Sequence, residues 1–508
     1  MADFRQTTTP WGARLHVVLD HTNFEVCYAA VSSRDTRFDG RFVTGVLTTG
    51  IFCRPSCPAR TPLRKNVRFY PSPAAAQQSG LRACRRCRPE LAPDAPGQDP
   101  TSEIAARALR LIDDGEGDHG IDHLAGRLFV SPRHLQRVLV DTYGVGPSAL
   151  ARMRRVRLAR MLVDQTDLPL TRVAYAAGFG SVRQFNDAFK QTFHTTPSAA
   201  RRSRGNTHHV PKEVEGETAA TIAIPVRQPF DGRGVFEWAR LHAIPSRDTF
   251  TSPPSDHAGH PPPPGTWTRV TDDGPVTLTP RSDHVEVTVD IDQVADLRGP
   301  VALARQVFDI DADVTAMAAA LGTDPLLAPI LGARPGVRIP GAADPYEGAI
   351  RVILGQQVSA KGATTLMARL AELTDRPGLP DPAWTATADL ESLVGLTRQR
   401  AGAVRALAGA VRDGLDLSPV APPQETADAL LDLPGVGPWT VGVIRLLVLR
   451  EPDAWPSGDL ALRRAIEGLT GIAHSNRELD TLAERWRPWR GYAAMTLWHH
   501  YLEDQLPH

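Results

Sequence analysis

Cysteine is the chain's clearest scarcity. Five occur in 508 residues and none lies beyond Cys87, so nothing later in the chain can offer a thiolate to a metal. Missing too are a secretory leader, a run apolar enough to cross a bilayer, and any tract of biased composition. Those absences exclude membrane-spanning classes. They leave a cytoplasmic chain of ordinary globular composition as the expectation, with no membrane partner. In a reducing compartment, closely paired cysteines favour a metal over a disulfide. Net charge is the last absence: 57 Lys+Arg balance 57 Asp+Glu.

That balance hides two opposite halves. Residues 1–205 carry 30 basic against 18 acidic side chains, and residues 206–508 carry 27 against 39. The first stretch has the electrostatics of a nucleic-acid binder. Its basic residues are nearly all arginine, which suits phosphate and base-edge contacts. Any DNA contact in the second stretch must be local. A chain of 508 residues implies several domains, and pattern and composition place them at 1–92, 101–204, 219–300 and 301–508. A proline-spaced linker is expected at 93–100, a polar one at 201–218, and a proline-rich loop at 257–265.

Four of the cysteines form two close pairs, Cys53/Cys57 and Cys84/Cys87, with 26 residues between the pairs. Such pairs can close a tetrahedral cage around one Zn²⁺. Residues 42–47 and 66–70 read as strands and 73–81 as a helix. This small α+β unit holds too little apolar material to be stable unless a metal contributes. The residues alone leave a purely structural zinc ribbon open. TTGIFCRPSC at 48–57, ARTPLRKNVRFY at 59–70 and CRRCRPE at 84–90 resemble the amino-terminal domain of the Ada family of alkylation-repair regulators. The resemblance implies that Cys53 is both a zinc ligand and the irreversible acceptor of a methyl group from a DNA methylphosphotriester. The zinc is then structural and catalytic at once. Methylation removes one negative charge and so strengthens binding to a phosphate backbone. Arg54, Arg60, Arg64 and Lys65 are candidates to hold the phosphates, with a solvated basic face as the plain alternative. Cys27 lies outside the pattern and is expected to be buried.

Residues 101–204 read as all helix. Ser131 and Pro132 have the chemistry of an N-cap and first helical position, and Ser181 opens a second helix in the same way. A long basic helix spans 152–162. Two helix-turn-helix units emerge, and AxxAGFxSxxxFxxxFK followed by TPSAARR resembles the AraC family of transcription activators. Recognition helices are expected near 133–140 and 182–189. Arg133, His134, Arg137, Arg183 and Gln184 are candidates for bases or phosphates. Leu135, Val138, Phe185 and Phe189 are expected in the core.

Strands at 221–226, 267–270, 276–280 and 284–289 and a helix at 230–240 form a second small α+β unit. From about Val301 the pattern is helical. Leu433-Pro-Gly-Val-Gly-Pro-Trp-Thr440 reads as a helix-hairpin-helix, in which Gly435 and Gly437 permit tight backbone geometry and their N–H groups can hold a phosphate. Twenty residues beyond Trp439, Asp459 sits at the mouth of a helix, where an N-cap is the ordinary role. The hairpin with this aspartate, LGARPGVRIPGAADPYEGAIRVILGQQVSAKGA at 331–363 and ERWRPWRGYAAMTLWHH at 484–500 resemble 3-methyladenine DNA glycosylase II, of the helix-hairpin-helix glycosylase superfamily. The resemblance implies a TBP-like α+β subdomain before the helical domain, Asp459 as the catalytic carboxylate, and Trp439, Trp498 and Gln356 about the base pocket. Gln357 belongs to the same segment, and Trp486 and Trp489 are expected in the core. Where relatives that also cut the backbone carry a lysine, this chain has Trp439, which implies a monofunctional enzyme. The cysteine shortage excludes the iron–sulfur cluster of some relatives, and the PCHR methyltransferase site of longer Ada proteins has no counterpart.

The expectation is thus a multidomain fusion. A zinc-dependent alkylation sensor and activator, binding alkylated and promoter DNA and engaging RNA polymerase as a monomer, is joined to an alkylbase glycosylase. The rival is a zinc-dependent regulator whose glycosylase region is an inactive DNA clamp.

Overall fold

The computed structural model describes residues 21–91, 100–203, 219–251 and 265–505. The expected linkers and proline-rich loop fall almost wholly outside these residues. At their borders Pro100 already begins a helix, and Arg201 and Arg202 complete one. Residues up to Pro89 and from Glu90 onward form two compact units.

The first unit is a four-stranded sheet of β1 (Val43–Val46), β2 (Ile51–Cys53), β3 (Val67–Tyr70) and β4 (Arg82–Ala83), in the order β3-β1-β2-β4. β1 is antiparallel to β2 and β3, whereas β4 joins β2 in parallel, pairing Ile51 with Arg82 and Phe52 with Ala83. That parallel pairing has a chemical consequence. Both strands end at the same level, so Cys53 closing β2 and Cys84 following β4 arrive side by side. Helix α1 (Phe24–Ser33), capped by Asn23, packs Cys27, Ala30 and Val31 onto Phe42, Val67 and Phe69. Cys27 is buried, as expected. Helix α2 (Pro73–Gln78) is shorter than its pattern suggests, ending before Gly80.

In the second unit, α3 (Pro100–Asp113), α4 (Ile121–Arg127), α5 (Pro132–Tyr143), α6 (Pro147–Gln165), α7 (Leu170–Ala176), α8 (Val182–Phe193) and α9 (Pro197–Arg202) form the helical half. Ser131 Oγ accepts from His134 N and Ser181 Oγ from Gln184 N, each at 3.2 Å, so both serines cap as expected. Leu135, Val138, Phe185 and Phe189 are at most 2% exposed and form the core that turns the opposite faces of α5 and α8 outward.

An antiparallel sheet follows: β5 (Ala219–Pro225), β6 (Asp248–Thr251), β7 (Thr266–Thr271), β8 (Gly274–Pro280) and β9 (His284–Asp290), in the order β5-β9-β8-β7-β6. Ala220, Ile222 and Ile224 alternate inward from β5, and Val285, Val287 and Val289 from β9, the period-two signature of a half-buried sheet. Helix α10 (Gly232–Leu241), capped by Asp231, lies between β5 and β6, and α11 (Arg298–Val307) leads from the sheet into the helical domain. There the helices Pro345–Leu354, Pro423–Leu431, Pro438–Leu447, Leu460–Thr470 and Arg490–Gln505 surround one apolar core that includes Trp486 and Trp489, as expected. No helix among the described residues is long and apolar enough to cross a membrane.

Candidate functional site

The sulfur atoms of Cys53, Cys57, Cys84 and Cys87 all lie within 4.8 Å of one another. Four sulfurs bound tetrahedrally to zinc would stand about 3.8 Å apart, from a Zn–S bond of about 2.3 Å, so the donor set and spacing fit this ion. Charge makes the same point. A hydrogen bond with Cys87, burial and the repulsion of the other sulfurs hold the Cys53 thiol far above its ordinary range. Cys87, on the favoured side of that hydrogen bond, is drawn down to about 6. Four thiolates cannot coexist there without a cation. Backbone N–H groups reach Cys87 from Arg54 at 3.4 Å and Cys57 from Ala59.

The basic candidates around this centre take different roles. Arg54 is held within the fold, donating to Arg88 O at 2.8 and 3.3 Å. Arg64 pairs with Glu25 and lies over the rings of Tyr28 and Phe24 at 4.7 and 5.2 Å. Arg60 and Lys65 are exposed. In the helical half Arg133, Arg137, Arg183 and Gln184 are exposed and His134 is half-buried. Arg137 reaches His134 Nδ1 at 3.1 Å, and Gln184 Oε1 accepts from Gly180 N at 3.2 Å.

Asp459 sits where the chain turns into helix Leu460–Thr470. It is the N-cap, Oδ1 accepting from Leu462 N at 2.8 Å. That ordinary role fixes the carboxylate for another. Trp439 Nε1 donates to Oδ2 at 2.7 Å, and Trp498 Nε1 to Oδ1 at 3.1 Å. Asp459 is 9% exposed. Both indoles wall a cavity of about 260 Å³. Asp459 is not itself among the lining residues, but is bonded to two of them. Trp267 of β7 and Trp238 of α10 also line the wall, Trp238 stacking on Trp498 at 5.7 Å and on His242 at 4.4 Å. Sequence reasoning missed Trp238, which precedes its partner by 260 positions and lies in the other subdomain. Its only signal is a tryptophan on a helix whose other inward positions are Val235 and Phe236.

The cavity's back is braced by buried ion pairs. Arg269 of β7 donates to both oxygens of Asp248 at 2.9 and 3.1 Å and to Glu347 of helix Pro345–Leu354, and Arg247 Nε lies 2.9 Å from Glu347 Oε1. Sheet and helical domain are thereby tied together across the site. Burial, with Arg351 nearby, pushes His242 down to about 3, so the ring under Trp238 is neutral at pH 7. Burial, with Arg334, likewise lowers His499 to about 4. These histidines stay neutral in the fold but charge when unfolded, below the ordinary 6.5. Stability is therefore full above about pH 6.5 and falls as pH drops toward the folded values. The expected result is a melting temperature that declines between pH 6.5 and 4.5, with a shallower slope for His242→Phe.

Gln356 does not line the cavity. Its amide donates to Gly435 O at 3.0 Å and Thr440 Oγ1 at 2.9 Å, tying its loop to the hairpin. Beside it Gln357 is exposed with φ +54°. The two hairpin glycines differ. Gly435 has φ +79° and a Cβ there would meet Ala403 at 2.9 Å, so glycine is required. At Gly437 a Cβ would meet nothing within 4 Å and φ is −114°. The expectation of tight geometry at both is corrected: Gly437 opens helix Pro438–Leu447 without needing to be glycine.

Family comparison matches the chain in four consecutive stretches: metal binding domain of Ada (residues 26–90), helix-turn-helix domain (124–203), AlkA N-terminal domain (221–344), and HhH-GPD superfamily base excision DNA repair protein (350–491). Fold and sites together define a helix-hairpin-helix DNA glycosylase joined to a zinc-binding domain and a helix-turn-helix domain. The chain is 41% identical over 497 residues to the probable bifunctional transcriptional activator/DNA repair enzyme AlkA of Mycobacterium tuberculosis, covering 94% of this chain and 96% of that protein, and belongs to this family. DNA-3-methyladenine glycosylase 2 of Escherichia coli is 31% identical over 235 residues, 44% of this chain and 78% of that one. The bifunctional transcriptional activator/DNA repair enzyme Ada of E. coli is 41% identical over 133 residues, 26% and 36% of the two chains.

Proposed function

We propose that the carboxy-terminal part excises alkylated bases of the 3-methyladenine type and that the amino-terminal part takes methyl groups from DNA methylphosphotriesters to switch on transcription activation. The observation that carries the first half is Asp459, held by the indole N–H groups of Trp439 and Trp498, two of the four tryptophans that wall the cavity. Alkylation places positive charge on the base. A flipped, electron-poor ring is attracted to tryptophan faces, a contact of about 1–2 kcal/mol when desolvated. As the C1′–N bond breaks, its electron pair leaves with the base and the sugar becomes oxocarbenium-like. The Asp459 carboxylate stabilises that charge and orients a water whose oxygen bonds to C1′. The products are a free base and an abasic site. With no lysine in the place of Trp439, no Schiff base forms and the backbone stays intact. Trp238→Ala should raise KM for alkylated duplex about tenfold through lost stacking, with a smaller change in kcat; an unchanged KM would remove Trp238 from the pocket.

For the second half, Cys53, Cys57, Cys84 and Cys87 would hold one zinc ion, which would supply the positive charge that keeps their sulfurs as thiolates at neutral pH. Cys53 Sγ then bonds to the methyl carbon while the C–O bond breaks and its electron pair returns to the phosphate, leaving an ordinary diester. The backbone N–H groups directed at Cys57 and Cys87 stabilise those sulfurs as anions, which makes them weaker nucleophiles than Cys53 and Cys84. The lost negative charge strengthens the unit's hold on DNA. Arg60, Arg64 and Lys65 are the exposed phosphate-binding candidates of the first unit, and α5 and α8 present Arg133, His134, Arg137, Arg183 and Gln184 to promoter DNA. The hairpin at Gly435 and Gly437 holds the damaged duplex. The partners are those expected above, DNA and RNA polymerase, for a chain acting as a monomer. Release of free 3-methyladenine from methylated duplex tests the enzyme; transfer of one methyl to Cys53, located by mass spectrometry, tests the sensor.

A further inference from the structure

The helix-turn-helix half does not simply precede the glycosylase; it completes it. Among the described residues β5 is an edge strand, paired only with β9. The Gln165 side chain, at the end of α6, donates to Ala223 O at 3.2 Å and accepts from Ala223 N at 2.7 Å, as a neighbouring strand would. Ala176 O of α7 accepts from Leu297 N at 3.0 Å, and Arg172 pairs with Asp292 at 2.9 Å. Arg298 joins Asp296 to Asp118, with its guanidinium resting on Gly178. A Cβ there would lie 2.6 Å from it, and Gly178 has φ +81°. Val156 through Ala200 and Ala220 through Ile310 contribute to a single apolar cluster. A third patch reaches the helical domain, where Arg107 Nε donates to Val420 O at 2.7 Å and Arg110 to Pro419 O at 2.9 Å. None of these contacts uses the exposed faces of α5 and α8.

From this we infer that residues 100–203 are a structural part of the glycosylase and its second DNA grip. Duplex held by α5 and α8 is thereby held at a fixed place relative to the Trp439/Trp498 cavity. The inference rests on the reading that both parts bind DNA, and takes it further: base excision draws on the transcription module. Two grips on one body act as linked sites, whose combined affinity exceeds either alone wherever a duplex spans both.

Two measurements on the full chain decide it. In hydrogen exchange the Ala223 amide should be protected, and Gln165→Ala, which removes its acceptor, should speed its exchange about tenfold or more. Equal exchange in the two proteins would overturn the docking. In excision assays, lengthening the alkylated duplex by about two helical turns, the span that two recognition helices need, should raise kcat/KM about tenfold or more. The double variant Arg137→Ala/Arg183→Ala should bring the ratio of long to short duplex back to about one. A ratio near one in the wild-type chain, or a ratio unmoved by the double variant, would overturn the shared grip. A chain that released no base from any duplex would strike the enzyme reading instead, and the exchange experiment would still decide the docking.

Discussion

Asp459→Asn should reduce release of 3-methyladenine from alkylated duplex by about 10³-fold, the scale of losing one fixed electrostatic stabiliser of a charged transition state. The substitution suits the geometry. Asparagine is as good an N-cap as aspartate, so its oxygen can keep the bond from Leu462 N and helix Leu460–Thr470 should hold. What disappears is the negative charge, along with acceptance of at least one of the two indole donors, Trp439 and Trp498. A melting temperature near wild type with activity gone would separate catalysis from capping. Equal release by the variant would return Asp459 to a purely structural cap, whereas no release by the wild-type chain would leave the region a DNA clamp. Trp439→Phe offers a graded version. It keeps an aromatic wall but removes the donor to Oδ2, and a hydrogen bond to a charged group contributes about 1.5–3 kcal/mol, so a loss of about tenfold or more is expected.

The second large effect concerns the cysteine centre. Stripping zinc from the full chain should unfold residues 21–91 while the rest stays folded. Among the described residues of the first unit, the large buried apolar side chains are Val31, Phe42, Val43, Phe52, Val67, Phe69, Tyr70 and Leu81, little against the ordering entropy of such a segment. Binding of a structural zinc supplies about 10 kcal/mol or more of the missing stability. Limited proteolysis should therefore cut within 21–91 after chelation and spare the glycosylase. An uncut first unit would mean that its core suffices without metal. Cys53→Ala should abolish methyl uptake from methylphosphotriester DNA altogether, whereas a methyl still gained by that variant would move the acceptor to another of the four sulfurs.

Chemistry that is local in sequence was easy to read. The two cysteine pairs, the caps Ser131 and Ser181, and Asp459 beyond its hairpin each announce themselves through spacing. Contacts formed by distant segments were not. β4 is two residues long and has no periodicity, yet its parallel pairing with β2 brings Cys84 beside Cys53. Helix α1 also escaped notice, because Phe-Glu-Val-Cys-Tyr-Ala-Ala-Val shows no clear polar face. Trp238 and Trp498 become neighbours only when the sheet subdomain closes on the helical one through Arg269 and Glu347. Gln356 illustrates the reverse difficulty. Its motif placed it by resemblance near the base, and its amide instead ties the loop to the hairpin, a role visible only once Gly435 O and Thr440 Oγ1 are in position.

Gln165 on Ala223 has a consequence for solubility. An uncovered sheet edge offers its N–H and C=O groups to any other strand, including the same edge on a second copy. A glycosylase cut free at residue 219 would expose such an edge along β5, with Ile222 and Ile224 behind it, and would be prone to self-association. The helix that joins the two helix-turn-helix units thus also guards the repair enzyme against aggregation.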